Sequence, residues 1–255
     1  MKHGFIGFGH IAHALYAGLA QNPSNTFLYI SKDSRDEPIE AAADINELAL
    51  WADVLWLCVK PQHTSEVFGE LAHIDLSEKI LVSPVAGLSI SALQKHLGTN
   101  VPIIRIMPNL ALAYGHSVTA YCASEENDIV KHVQASLETM GTVVRLKEKQ
   151  FDLFTALFGS GPAFLLRVLQ VFETQTRELG ISEEKAAALV LELLAGTTAY
   201  LRENREKSIT KLIEQVASKG GVTEAGLAYF DDNAVGKKLE EMLRVAERRS
   251  EELDN

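Results

Sequence analysis

The chain is nearly free of cysteine. Cys58 and Cys122 are the only two, and their spacing fits neither a metal site nor a redox pair. Both stand in apolar runs, which marks them as buried free thiols and suits a reducing cytoplasm. There is no excess of positive charge: 24 Lys and Arg stand against 34 Asp and Glu, a net −10. That balance lacks the basic footprint of a nucleic-acid binder and does not suit an anionic membrane surface. No run of 18 apolar residues occurs, so no membrane span is expected. The first residues run straight into a strand, without the charged and then apolar stretch of a signal peptide. His63, His73, His96, His116 and His132 show no ligand spacing, so no metal is expected. Repeats, low-complexity segments and flexible linkers are missing too. What remains is an ordinary globular composition, 47% hydrophobic and 23% charged over 255 residues, enough for one or two domains.

Short apolar runs alternate with amphipathic stretches in the first half. Strands are expected at residues 3–6, 26–30, 53–59, 79–83, 101–107, 117–122 and 142–146, with helices at 11–20 and 125–140. Such alternation predicts a parallel sheet covered on both faces. Near Gln150 the character changes, and no strand is legible from there to Asn255. Phe164, Leu165, Val168, Leu169 and Phe172 recur at helical spacing. Ser182 is placed to cap an Ala- and Leu-rich helix with Glu183 and Glu184 in its first turn; Ser208 and Asn233 are placed to cap the next and the last. The helix over residues 183–200 is apolar nearly all round, so a partner chain is its expected cover. The fold class expected is α/β: a Rossmann-type parallel-sheet domain over residues 1–149, then an all-α dimerisation domain over 150–255.

Gly7, Gly9 and Ala12 form G-x-G-x-x-A between the first strand and the first helix. Gly7 permits the tight turn, Gly9 lets a pyrophosphate approach the backbone, and Ala12 lets helix and strand pack closely. The helix N-terminus then offers free N–H groups to phosphate. At the end of the second strand stand Ser31 and Lys32, where NAD-binding domains often carry an acid for the ribose 2′-hydroxyl. A hydroxyl and a cation suit a 2′-phosphate, so NADPH is the expected cofactor, with NADH second. Asp33 and Asp36 dilute that signal.

Three motifs end predicted strands: Val59-Lys60-Pro61-Gln62, Ser83-Pro84-Val85-Ala86-Gly87, and Arg105-Ile106-Met107-Pro108-Asn109. Two more follow in the second half, Gly159-Ser160-Gly161-Pro162-Ala163-Phe164 and Ser218-Lys219-Gly220-Gly221-Val222-Thr223. In this order, over essentially the whole chain, they resemble the Δ1-pyrroline-5-carboxylate reductase family. That resemblance implies reduction of a five-membered cyclic imine to L-proline, the last step of proline biosynthesis, by NAD(P)H. It implies cofactor contacts at Ile6, Gly7, Phe8, Gly9, His10, Ile11, Ser31, Lys32, Asn46, Val59, Lys60 and Ala86. It implies substrate contacts at Ser218, Gly220, Gly221, Val222 and Thr223, with the Thr223 hydroxyl near the ring nitrogen as the candidate catalytic group. It also implies interlocked helical domains, in a homodimer or a larger homo-oligomer. His10-Ile11, Leu110-Ala111, Lys219 and Val222 depart from the family pattern, and the segment between the second strand and Asn46 is short, so a helix is expected to be missing there.

The chemistry asks for little acid–base machinery, because a cyclic imine can take its proton from solvent; alignment and exclusion of water matter most. No Y-x-x-x-K occurs, which disfavours a short-chain alcohol dehydrogenase, and no Lys follows Gly161 before Gln170, where β-hydroxyacid dehydrogenases carry one. Gly220 and Gly221 could present N–H groups to a carboxylate, or could simply break a helix. Thr223 could bind substrate or cap a helix. Lys60 could line a pocket by its backbone or face solvent. Arg105 could be an ion-pair partner or a substrate clamp, and His10 a phosphate ligand or a bystander. Two rival readings remain: a divergent paralogue that reduces another cyclic imine, and a non-catalytic nucleotide-binding regulator, which would have no need of Thr223.

Overall fold

The computed structural model describes residues 1–32, 37–98 and 101–253. They form two compact units, Met1–Ser160 with Arg244–Asn255, and Gly161–Leu243. The division falls at Ser160, later than the 149/150 boundary read from sequence. Phe151 and Phe154 explain this: both are buried against Met107, Ala120 and Cys122 of the sheet, so their segment stays with the first unit.

The first unit runs β1 (Lys2–Ile6), α1 (His10–Leu19), β2 (Thr26–Ile30), β3 (Glu40–Ala41), α2 (Ile45–Trp51), β4 (Val54–Leu57), α3 (Thr64–Leu71), β5 (Ile80–Ser83), α4 (Ile90–Leu97), β6 (Ile103–Met107), β7 (Ser117–Ala123), α5 (Asp128–Glu138), β8 (Gly141–Arg145) and α6 (Phe151–Phe154). One eight-stranded sheet has the order β3-β2-β1-β4-β5-β6-β7-β8. Side-chain alternation divides its core in two. Phe5, Val54, Trp56, Ile80, Val82, Ile104 and Ile106 pack on one face with Ala12 and Leu15 of α1 and Val130 and Val133 of α5. Ile6, Leu55, Leu57, Leu81 and Ile103 pack on the other, with residues of α2, α3 and α4. A sheet buried on both faces needs apolar residues at both parities, hence the unbroken apolar runs of β4 and β5.

The expectation of an all-parallel sheet needs one correction. β7 pairs antiparallel with β6, and β8 runs parallel to β7. The link between β6 and β7, with its short 3-10 turn at Leu110–Tyr114, has no crossover helix, and a parallel return needs one or a connection of similar length. The helix expected at 125–140 is trimmed to α5 because the Asn127 side chain accepts from the Val130 N–H and caps it. Among the described residues between β2 and α2 only the short β3 appears, in keeping with a lost helix.

The second unit is helical: α7 (Gly161–Arg177), α8 (Glu183–Glu203), α9 (Ile209–Val216) and α10 (Val222–Asp232), with α11 (Val235–Glu252) starting here and ending in the first unit. Ser182 and Ser208 cap α8 and α9 as expected, accepting from the Lys185 and Lys211 N–H groups. Asn233 does not cap α11. It closes α10, its side-chain amide donating to the Tyr229 carbonyl, and Ala234 at φ 51° makes the turn into α11. α7 buries no residue in the single chain. Leu165, Leu166, Val171 and Phe172 of α7 and Leu191 and Leu193 of α8 are exposed.

Candidate active site

The cofactor candidates gather at the carboxyl edge of the sheet. β1 ends at Ile6, and the Gly7 N–H donates to the Ile30 carbonyl at 2.8 Å, tying the turn to β2. Gly7 has φ +84°, and a Cβ there would lie 2.8 Å from the Cys58 carbonyl oxygen, so glycine is required twice over. Gly9 is the N-cap of α1, and no side chain caps the helix. A Cβ on Gly9 would meet nothing within 4 Å. An open approach and uncapped N–H groups are what a pyrophosphate requires, so the turn fits a dinucleotide. Phe8 is buried; His10, the first residue of α1, is exposed, and Ile11 is half-buried.

β2 brings Ser31 and Lys32 to the same edge. Lys32 pairs with Glu66, in the first turn of α3. That ammonium holds the Glu66 carboxyl below its usual range. Asp33 and Asp36 lie outside the described residues. Asn46, exposed, stands in the first turn of α2 behind the Asp44 cap. Val59 and Lys60 follow β4; the Lys60 side chain is exposed while its carbonyl accepts from the His63 N–H at 2.9 Å. Ala86 follows β5 and packs beside Phe151 and Phe154. Next to it Gly87, at φ +64°, is hemmed in by the end of α11: a Cβ would stand 2.2 Å from the Leu253 Cβ. Nothing local in the sequence announces that approach.

Arg105 is an ion-pair partner. Its guanidinium is buried, sits 4.7 Å from the Phe151 ring centroid and donates to Glu148 at 3.2 Å. Glu148 also accepts from the Ile90 N–H at the start of α4. Asn109 is likewise structural: its amide donates to the Phe158 carbonyl and its oxygen accepts from the Ala111 N–H. Both cysteines are free; Cys122 is buried as expected, Cys58 only half-buried, and desolvation raises both thiols, Cys122 to about 12, which disfavours the thiolate.

The substrate candidates form one loop in the second unit. The Gly221 N–H donates to the Ser218 carbonyl at 2.9 Å, Gly220 takes φ +72°, and Gly221 is the N-cap of α10. Thr223 is therefore inside the first turn and is not the cap. Val222 is 93% exposed. Glu224 reaches back to accept from the Gly220 N–H at 2.6 Å and braces the turn. This carboxylate and Glu66 were missed in the sequence. Glu224 could have been found as an acid at the third position of a helix, the place of a capping-box acid. Glu66 could not, since 34 residues separate it from Lys32. A groove of about 700 Å³ beside the loop is lined by Leu193, Tyr200, Ile213, Val216, Leu227 and Thr223, among others. Among the described residues no His, Cys, Asp or Glu cluster could hold a metal.

Two family models match the chain: pyrroline-5-carboxylate reductase dimerisation over residues 148–253, and NADP oxidoreductase, coenzyme F420-dependent, over residues 2–87. A pyrroline-5-carboxylate reductase 2 of Bacillus subtilis is 31% identical, with 99% of this chain and 95% of the relative covered. The solved structure of a Plasmodium falciparum pyrroline carboxylate reductase with NADP bound superposes with a TM-score of 0.93 at 25% identity, covering 100% of this chain and 98% of that one. A 1-pyrroline-5-carboxylate reductase from Streptococcus pyogenes gives 0.91 at 25% identity, covering 99% and 98%.

Proposed function

The chain belongs to the pyrroline-5-carboxylate reductase family, and on that premise we propose how its own residues carry out the family reaction. It is an NADP-dependent oxidoreductase that reduces 1-pyrroline-5-carboxylate to L-proline. One observation supports this reading: Gly9 and Gly221 each begin a helix with no side-chain cap, which leaves first-turn N–H groups open to an anionic ligand. The cofactor, when bound, supplies a hydride to the imine carbon. Gly7, Gly9 and the first turn of α1 bind its pyrophosphate. Ser31 and Lys32 hold the 2′-phosphate, and Val59, Lys60 and Ala86 line the nicotinamide side. The N–H groups at the start of α10 receive the substrate carboxylate, and the Thr223 hydroxyl hydrogen-bonds the ring nitrogen.

The assembly is a homodimer at least. The run Glu148–Arg177 is apolar and long enough to cross a membrane, yet little of it is buried in the single chain. The dimerisation model covers the same residues, so a second copy is the cover we assign to it. Thr223 lines the apolar groove formed by α8, α9 and α10, and we assign that groove, with the substrate loop beside it, to the same interface. Free thiols at Cys58 and Cys122 support a cytoplasmic setting. The reading is tested by following NADPH oxidation with 1-pyrroline-5-carboxylate and with six-membered and carboxyl-free cyclic imines, and by identifying proline as product. Preference for another imine would make the chain a divergent paralogue. Cofactor binding without turnover on any imine would make it a regulator.

A further inference from the structure

Lys32 is not an unengaged cation waiting for a phosphate. β2 and β4 flank β1 on either side, so the end of β2 and the start of α3 stand on opposite sides of the glycine turn. Lys32 rises from one side and Glu66 from the other, and their pair spans the mouth where β1 delivers Gly7 and Gly9. Both side chains are more than half exposed, 71% and 55%, so the pair is open to whatever enters that mouth.

We propose that Glu66 is a cofactor-selectivity residue that works against the 2′-phosphate by occupying Lys32. The proposal rests on the assignment of Lys32 to the 2′-phosphate. A 2′-phosphate must displace the carboxylate from Lys32 and then remain close to it, like charge beside like charge. A ribose carrying a 2′-hydroxyl meets no such repulsion, and it can donate a hydrogen bond to the same carboxylate. Glu66 therefore lowers affinity for NADPH and leaves affinity for NADH intact or improved, which narrows the ratio between the two. Its place in the first turn of α3 favours a carboxylate through the helix dipole, so the acid is held there whether or not Lys32 is engaged.

The test is direct binding by calorimetry to the full-length protein, using NADP⁺, NAD⁺, 2′,5′-ADP and 5′-AMP. Glu66→Gln keeps the length and removes the charge. NADP⁺ and 2′,5′-ADP should tighten by about five-fold or more, the scale of one charge pair near 4 Å in water. NAD⁺ and 5′-AMP should stay within about two-fold or weaken. The gain should shrink in high salt, as exposed charges are screened. Unchanged or weaker NADP⁺ binding, or equal shifts for both dinucleotides, overturns the proposal. Lys32→Met separates the two levels. If it leaves NADP⁺ affinity untouched, the Lys32 assignment fails and the proposal falls with it. If it weakens NADP⁺ while Glu66→Gln strengthens nothing, only the role of Glu66 is lost.

Discussion

At the scale of single residues, two polar groups, His3 buried and Thr223 exposed, set testable behaviours. His3 is 1% exposed in β1, stacks on Phe27 and accepts from the Trp56 indole N–H at 3.1 Å. Burial lowers its pKa from 6.5 to about 4. Between those values the unfolded chain binds the proton and the folded chain does not, so stability falls as pH drops from 6.5 toward 4. The loss attributable to this ring approaches about 3 kcal/mol. His3→Asn retains an acceptor for Trp56 and has no proton to gain, so its urea midpoint should fall less steeply between pH 7 and pH 4.5. An identical slope would clear His3 of any part in acid sensitivity. Thr223 offers the second behaviour. Gly221 caps α10, so Thr223→Val removes no cap and should leave the melting temperature nearly unchanged. Loss of one polar contact to substrate should lower kcat/KM about ten-fold or more, with cofactor affinity unaltered. Full activity in this variant would remove Thr223 from the site.

At the scale of elements, helix starts are where sequence and structure agree most closely. Ser182 and Ser208 cap the helices assigned to them, and Asn127 caps α5 by the same local chemistry. α5 packs on the sheet through Val130, Val133 and Leu137, so fraying its first turn loosens one wall of the core. Asn127→Ala should cost about 1 kcal/mol, read as a lower urea midpoint, with kcat and KM unchanged because the cap lies in no proposed contact. A stability change within error would mean that solvent satisfies the Val130 N–H equally well. Asn233 shows the limit of such reading. The same residue type that begins a helix also ends one, and only the backbone at Ala234 decides which.

At the scale of the whole molecule, the second unit has too little interior for its apolar surface. α10 buries nothing in the single chain, and α8 buries only Ala186 and Val190. Exposed apolar patches of this extent mark association surfaces. Light scattering at micromolar concentration should give at least twice the 28.0 kDa chain mass. Leu193→Arg places a charge in the apolar groove and should shift the protein toward monomer with loss of turnover, while the Rossmann unit still binds NADP⁺. An active monomer would overturn both the assembly and the placement of the substrate loop at its face.

The sequence by itself determined what is periodic or local. Apolar runs marked seven of the eight strands, most plainly the central β4, β5 and β6, where burial on both faces favours near-continuous apolar sequence. The glycine turn was legible because Gly7 answers to backbone geometry within a few residues. The three motifs at strand ends and the Gly-Gly loop were legible as short local patterns, and they carry the cofactor and substrate contacts proposed above. The tertiary structure alone decided the rest. β3 is two residues long and carries no pattern of its own. The reversal at β7 comes from a connection too short to cross over. Glu66 on Lys32, Glu148 on Arg105 and Leu253 against Gly87 join residues separated by tens to more than a hundred positions. Such contacts leave no period and no spacing behind, since they are set by which elements the packed sheet brings side by side.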